Sequence, residues 1–160
     1  MAGHAEVRRV RPEEWEELRS LRLRALADTP AAFGRSLVEE EGRPPDEWKA
    51  MARAPVFVAV RDGAWLGMTG CFIEAPAGPA VIWGMWVTPE ARREGIGGRL
   101  LTAALEWAVA EGPTAVRLWV SEGNTAAAEL YRRAGFAPTG RAKALPSDAS
   151  RTEIELELET

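Results

Sequence analysis

Apolar residues recur along this 160-residue chain in two rhythms. Alternation or short apolar runs predict strands at 5–10 ("AEVRRV"), 55–60 ("PVFVAV"), 64–74 ("AWLGMTGCFIE"), 80–87 ("AVIWGMWV"), 114–121, 136–140 and 152–159. Helical spacing predicts a helix from Pro12 to about Asp28, with Trp15, Leu18, Leu21, Ala25 and Leu26 on one face. Pro12 suits its first turn, where a missing N–H costs nothing. A short helix follows at 46–53 with Asp46 as its expected cap. A longer one spans 96–111, with Ile96, Leu100, Leu101, Ala104, Leu105 and Ala108 sharing a face, and a fourth covers 124–134, ended by Gly135. Residues 36–45 read as a polar loop with a helical turn.

Punctuation supports this order. Asp62-Gly63 is a hairpin-turn signal between two strands. Gly84 inside an apolar strand predicts a bulge or a close backbone approach. Residues 141–151 are expected to form a loop between the last two strands. In "TEIELELE", Ile154, Leu156 and Leu158 share one face, and Glu153, Glu155, Glu157 and Glu159 the other, expected to be solvated. The fold class is therefore α/β (α+β): a mixed central sheet of six to seven strands flanked by about four helices. An antiparallel meander leads into a βαβ unit, whose crossover should be right-handed.

Composition narrows the possibilities. The length suits a single domain, 1–160. One cysteine, Cys71, forms no intrachain disulfide and fits a reducing cytoplasm. No apolar run reaches the roughly 18 residues of a membrane helix, and the N-terminus lacks the apolar core of a signal peptide. A net charge of -4 argues against a nucleic-acid binder. His4 is the only histidine, which argues against a Ser-His-Asp triad and a zinc site, so no metal is expected.

The stretch "VTPEARREGIGGRLL" needs its own explanation. Gly95, Gly97 and Gly98 are poor helix formers, yet they open the helix at 96–111. A helix N-terminus presents unpaired N–H groups and a positive dipole end, which a phosphate satisfies. Glycines let an anion approach the backbone, and Arg92 and Arg93 add charge. The alternative is a loop that needs positive φ angles. Neither the G-x-x-x-x-G-K-[ST] nor the G-x-G-x-x-G spacing is present.

These residues resemble the acetyl-CoA signature of the GNAT N-acetyltransferase family, R-x-x-G-x-G after V-x-P-E, with Arg92, Gly95 and Gly97 in the fixed positions. "LWVSEGNTAAAELYRRAGF" is similar to the family's next motif, with Asn124, Tyr131 and Gly135-Phe136 in place. The resemblance implies acetyl-CoA as co-substrate. Its pantetheine arm would pair with Met85, Trp86 and Val87. Its pyrophosphate would meet the amides of Arg92, Arg93, Gly95, Ile96, Gly97 and Gly98, and Asn124 and Tyr131 would border it.

Tyr131 is the implied catalytic acid, protonating the departing thiolate; read without the resemblance, it is a ring packed beneath the Gly135-Phe136 turn, as aromatic residues mostly are. Its helix places it seven residues, nearly two turns, after Asn124, on one face with Ala127 between. A base must deprotonate the incoming amine, and Glu74 is the candidate, with Glu122 a second. Phe33, Trp83 and Trp119 are candidate substrate contacts, with Arg24 a weaker one. The implied reaction is direct acetyl transfer to a primary amine in a ternary complex. A small-molecule amine is the favoured acceptor; a protein N-terminus or lysine is the alternative. A CoA-binding module without catalysis is the rival of another class. Neither a nucleic acid nor a membrane is an expected partner, and a homodimer through the last strands is a natural assembly for the family.

Overall fold

The computed structural model describes residues 3–160. Strand β1 (Glu6–Arg9) leads through a 3-10 turn at Pro12–Glu14 into α1 (Trp15–Asp28). Helices α2 (Leu37–Glu41) and α3 (Pro45–Arg53) follow. Strands β2 (Val56–Arg61), β3 (Ala64–Ile73) and β4 (Ala80–Val87) form a meander. Then come α4 (Ile96–Glu111), β5 (Ala115–Ser121), α5 (Thr125–Arg133), β6 (Ala137–Leu145) and β7 (Asp148–Glu159).

Among the described residues seven strands form one mixed sheet in the order β1-β2-β3-β4-β5-β7-β6, in which only β4 and β5 are parallel. Helix α4 packs on one face, where Ile96, Leu100, Leu101, Ala104 and Ala108 meet Phe57, Ala59, Ile82, Val116 and Leu118. On the other face Leu18, Leu21, Ala25 and Leu26 of α1 and Ala52 of α3 meet Val56, Val58 and Met68. The alternation in β2 serves both cores, since successive side chains point to opposite faces. Among the described residues no helix is long and apolar enough to cross a membrane.

Gly84 is the bulge its sequence suggested. Met68 lies opposite Trp86 and Gly70 opposite Trp83, so one residue of β3, Thr69, faces both Gly84 and Met85. Gly84 adopts φ +68°, a conformation that costs an L-residue about 1–2 kcal/mol. The extra residue resets the alternation. Ile82, Met85 and Val87 pack on the α4 side, and Trp83 and Trp86 on the α1 side.

Four expectations need correction. Helix α3 starts at Pro45, with Pro44 at the cap position; Asp46 lies in the first turn instead. Proline's fixed φ suits the first helical position, so the helix extends upstream of the acidic residue. The polar segment before it forms a fifth α-helix, α2, through a capping box in which Ser36 accepts from Glu39 N. Residues 141–151 are not a loop: β6 continues to Leu145 and β7 begins at Asp148. Finally, Glu153 and Glu155 are buried, 7% and 4% exposed. Strand β6 folds back with cations to meet them. Thr139 Oγ1 donates to Glu155 at 2.9 Å, Arg141 Nη1 approaches the same carboxylate at 3.2 Å, and Lys143 Nζ lies 3.5 Å from Glu153.

A methyl group at Gly84 would incur the left-handed cost and press Arg22 Nη1 at 3.3 Å. Gly84→Ala is therefore expected to lower stability by about 1–2 kcal/mol, read as an earlier urea midpoint with an unchanged m-value.

Candidate active site

The central sheet opens where the bulge lies. β4 pairs with β5 only from Ala80 to Ile82, against Val116 to Leu118. From Trp83 onward the β5-facing edge of β4 has no strand partner. A small cavity fills the gap, bordered by Trp83, Met85, Trp119, Asn124, Ala127 and Tyr131. The face shared by Asn124, Ala127 and Tyr131 thus points at it, as helical spacing predicts. Asn124 Oδ1 also accepts from Ala127 N at 3.4 Å and caps α5. Tyr131 is 5% exposed and packs edge-on against Phe136 at 5.8 Å between centroids. Burial alone pushes its phenol pKa above the ordinary 10.

The glycine loop lies beside this gap. Gly95 takes φ +80° at the cap of α4, and no side chain caps the helix. Arg99 N donates to Gly95 O at 3.2 Å, so Ile96, Gly97 and Gly98 precede the first intrahelical bond. A Cβ at Gly97 or Gly98 would meet Leu130 on α5, at 3.4 and 3.9 Å. Arg93 is exposed and held at φ +67°. Arg92 is not a free cation: Nη2 donates to Asp28 Oδ2 at 2.7 Å and Nε to Val87 O at 2.9 Å. Trp86 Nε1 donates to the same Asp28 oxygen at 3.0 Å. The end of α1, the end of β4 and the loop are braced through one carboxylate.

On the α1 side of the gap is a cavity of about 690 Å³, within the range of small-molecule sites. Phe33, Trp83 and Trp119 line both cavities, so these three expected contacts do converge. The β6–β7 turn holds one of these residues in place: Ser147 Oγ donates to Phe33 O at 2.5 Å. Glu153 lines the large cavity too. Glu153 pairs in register with Ser121, at the end of β5 beside the gap. Glu74 and Glu122 do not come to the site. Glu74 lies in the exposed β3–β4 turn, at the closed end of β4, and Glu122 is exposed after β5. Arg24 stacks over Trp86 at 5.5 Å, outside the cavity. Its neighbour Arg22, one of the residues that sequence reasoning passed over, is 5% exposed and lines it.

Comparison with known proteins agrees with this geometry. The model of the acetyltransferase (GNAT) family matches residues 10–136. The chain belongs to the GNAT family. It is 34% identical over 122 residues to a mycothiol acetyltransferase of Thermobispora bispora, covering 73% of this chain and 41% of that protein. The chain spans less than half the length of the curated relatives it matches. A GNAT acetyltransferase from Streptococcus pneumoniae shares the fold with TM-score 0.82 at 18% identity, over 97% of this chain and 98% of that one. A putative acetyltransferase from Salmonella typhimurium, solved with its cofactor acetyl-CoA, has TM-score 0.80 at 16% identity, over 98% of this chain and 94% of that one.

The residues present in this GNAT domain fit a CoA thioester. The uncapped α4 N-terminus suits a pyrophosphate, and the unpaired edge of β4 suits an amide-bearing arm. Burial raises the Glu153 carboxyl above the usual range, opposed by Lys143. Burial also pushes the Cys71 thiol up to about 12, so it stays protonated and is a poor nucleophile. Asp28 is held below its ordinary value by hydrogen bonds from Thr29, Trp86 and Arg92. A lowered carboxylate pKa contributes stability above the unfolded value, about 3.9, and loses it as pH falls through the folded value. Asp28→Asn should therefore melt below wild type near neutral pH. The two melting curves should converge once the pH has fallen below the ordinary aspartate value and through the lowered folded one in calorimetric scans.

Proposed function

We propose that the protein is an N-acetyltransferase that moves an acetyl group from acetyl-CoA to the primary amine of a small molecule. The observation that carries the reading is the gap beyond Ile82 and Leu118, with the uncapped α4 helix beside it and a larger adjoining cavity on the α1 side. The thioester supplies the acyl group. The amides of Arg92, Arg93, Gly95, Ile96, Gly97 and Gly98 hold its pyrophosphate. The open edge at Met85, Trp86 and Val87 aligns the pantetheine, and a backbone N–H there, that of Met85, stabilises developing charge on the carbonyl oxygen.

Acid and base lie on opposite flanks. The acceptor arrives as an ammonium with a pKa near 10 and must lose a proton before it attacks. Glu153, rather than Glu74, is placed to take it, because it alone of those two carboxylates borders the large cavity. Its raised pKa makes it a better match to that proton than a solvated glutamate. Tyr131 Oη, bordering the gap from α5, donates a proton to the departing sulfur. The volume of the cavity, about 690 Å³, and its aromatic lining by Phe33, Trp83 and Trp119 suit a small acceptor.

The experiment that tests the reading is melting with and without acetyl-CoA. Ligand at about 100 times its dissociation constant should stabilise the fold by roughly 2.7 kcal/mol, with no shift from ATP. Gly97→Glu should abolish that shift; an unchanged shift would remove the phosphate assignment. With an accepted amine, Tyr131→Phe should lower kcat far more than acetyl-CoA affinity. Glu153→Gln should lower kcat/KM by about 10²–10⁴ and remove an acid limb that lies above the ordinary glutamate value of about 4.3. Glu74→Gln should leave both unchanged.

A further inference from the structure

Arg22 lies where helical spacing demands an apolar residue, on the stripe of Leu18, Leu21 and Ala25. Its guanidinium carbon lies 4.8 Å from the centroid of the Phe33 ring and 5.5 Å from that of the Trp83 ring. Nε and Nη2 donate to Glu40 Oε1 at 3.3 and 3.2 Å. Glu40 is 1% exposed and also accepts from Arg43 Nε. Two cations thus share one buried carboxylate; Arg43 has a further contact with Glu47 at 3.8 Å.

Arg22 Nη1 is buried and has no hydrogen-bond partner. A guanidinium in a protein does not shed its proton, and a buried donor without an acceptor is costly. The unpaired nitrogen sits 3.3 Å from where a Gly84 Cβ would stand. It therefore lies at the bulge, where the edge of β4 opens, and Arg22 lines the large cavity. Charge, geometry and a missing acceptor coincide beside the reacting centre.

We propose that Arg22 Nη1 anchors a carboxylate carried next to the acceptor amine, so that the acceptor is a free amino acid. This rests on the acetyltransferase reading above. In an α-amino acid two bonds separate the carboxylate carbon from the nitrogen, so a carboxylate held at Nη1 keeps the amine close to the bulge. Phe33, Trp83 and Trp119 offer an apolar wall, which suits an aromatic or long aliphatic side chain. Glu153 on the same cavity faces the amine end.

The test uses matched pairs: L-phenylalanine with 2-phenylethylamine, L-tryptophan with tryptamine, and L-leucine with isoamylamine. Binding is measured by calorimetry without acetyl-CoA, and transfer by release of free thiol. In wild type at least one amino acid should surpass its decarboxylated partner by about tenfold or more, the worth of a charged hydrogen bond. In Arg22→Gln that ratio should fall to near one, and in Arg22→Lys to an intermediate value. The acetyl-CoA melting shift of each variant checks that it is folded. No preference in any pair, or a ratio that survives Arg22→Gln, overturns the proposal. Equal transfer to both members of each pair would do so while leaving the acetyltransferase reading intact. Preferential binding without transfer would uphold the carboxylate site and count against that reading.

Discussion

One extra residue in β4 governs the rest of the molecule. Without the bulge at Gly84, strict alternation would put Trp83, Met85 and Val87 on one face. With it, Met85 and Val87 join Ile82 over α4, and Trp83 and Trp86 turn toward α1. The strand also leaves its parallel partner at this point, since pairing with β5 ends at Ile82. Bulges bend a strand and increase its twist. The same local event thus sends two tryptophans to one side, frees a backbone edge and opens a gap through the sheet. Glycine is required because only a residue tolerant of φ +68° can sit there without cost. A neighbouring glycine serves the same end: the Trp83 ring occupies the space a Gly70 Cβ would need, its nearest atom 2.1 Å from that position.

An open gap must be held to be useful. Two ties do this from opposite ends. Asp28 gathers Trp86 and Arg92, so the end of β4 and the start of the glycine loop move with α1. Ser147 reaches Phe33, so the β6–β7 turn fixes the loop after α1 that lines the large cavity. Neither tie is a strong stabiliser: Asp28 and Arg92 are partly exposed, and such pairs are worth about 0–1 kcal/mol. Their effect is positional. The buried Arg22–Glu40–Arg43 cluster is different. Desolvation opposes its mutual attraction, and it lowers the Arg22 pKa against the pull of Glu40. A cluster of this kind, with one donor unsatisfied, is poor evidence of stability and better evidence of a ligand.

Most elements were legible because their periodicity is local. The 96–111 helix and the 80–87 strand carry their own boundaries in glycine and proline. The face shared by Asn124, Ala127 and Tyr131 follows from helix geometry alone. What escaped was the identity of the covering layer. Alternation in "TEIELELE" correctly separates Ile154 and Leu156 from Glu153 and Glu155, but it cannot say that β6 folds back with Lys143 and Arg141 to bury the charged face. For the same reason Glu74 looked as suitable a base as any strand-end carboxylate, although its turn lies at the closed end of β4. Arg22 is readable in the sequence: a lone arginine on the stripe of Leu18, Leu21 and Ala25 contradicts the pattern around it.

In the proposed reaction one physical cause serves two roles. Burial raises both Tyr131 and Glu153, because each is charged only when deprotonated. Their ordinary values stand on either side of neutrality, near 10 and 4.3. An upward push on the phenol secures its proton at neutral pH, which a donor requires. The same push on the carboxyl moves it toward neutrality and strengthens it as a proton acceptor. Under the proposed reaction no charged partner is needed to set the tyrosine, and Lys143 limits how far the glutamate rises. In that proposal acid and base are distinguished by their intrinsic chemistry, with Tyr131 bordering the gap and Glu153 the large cavity.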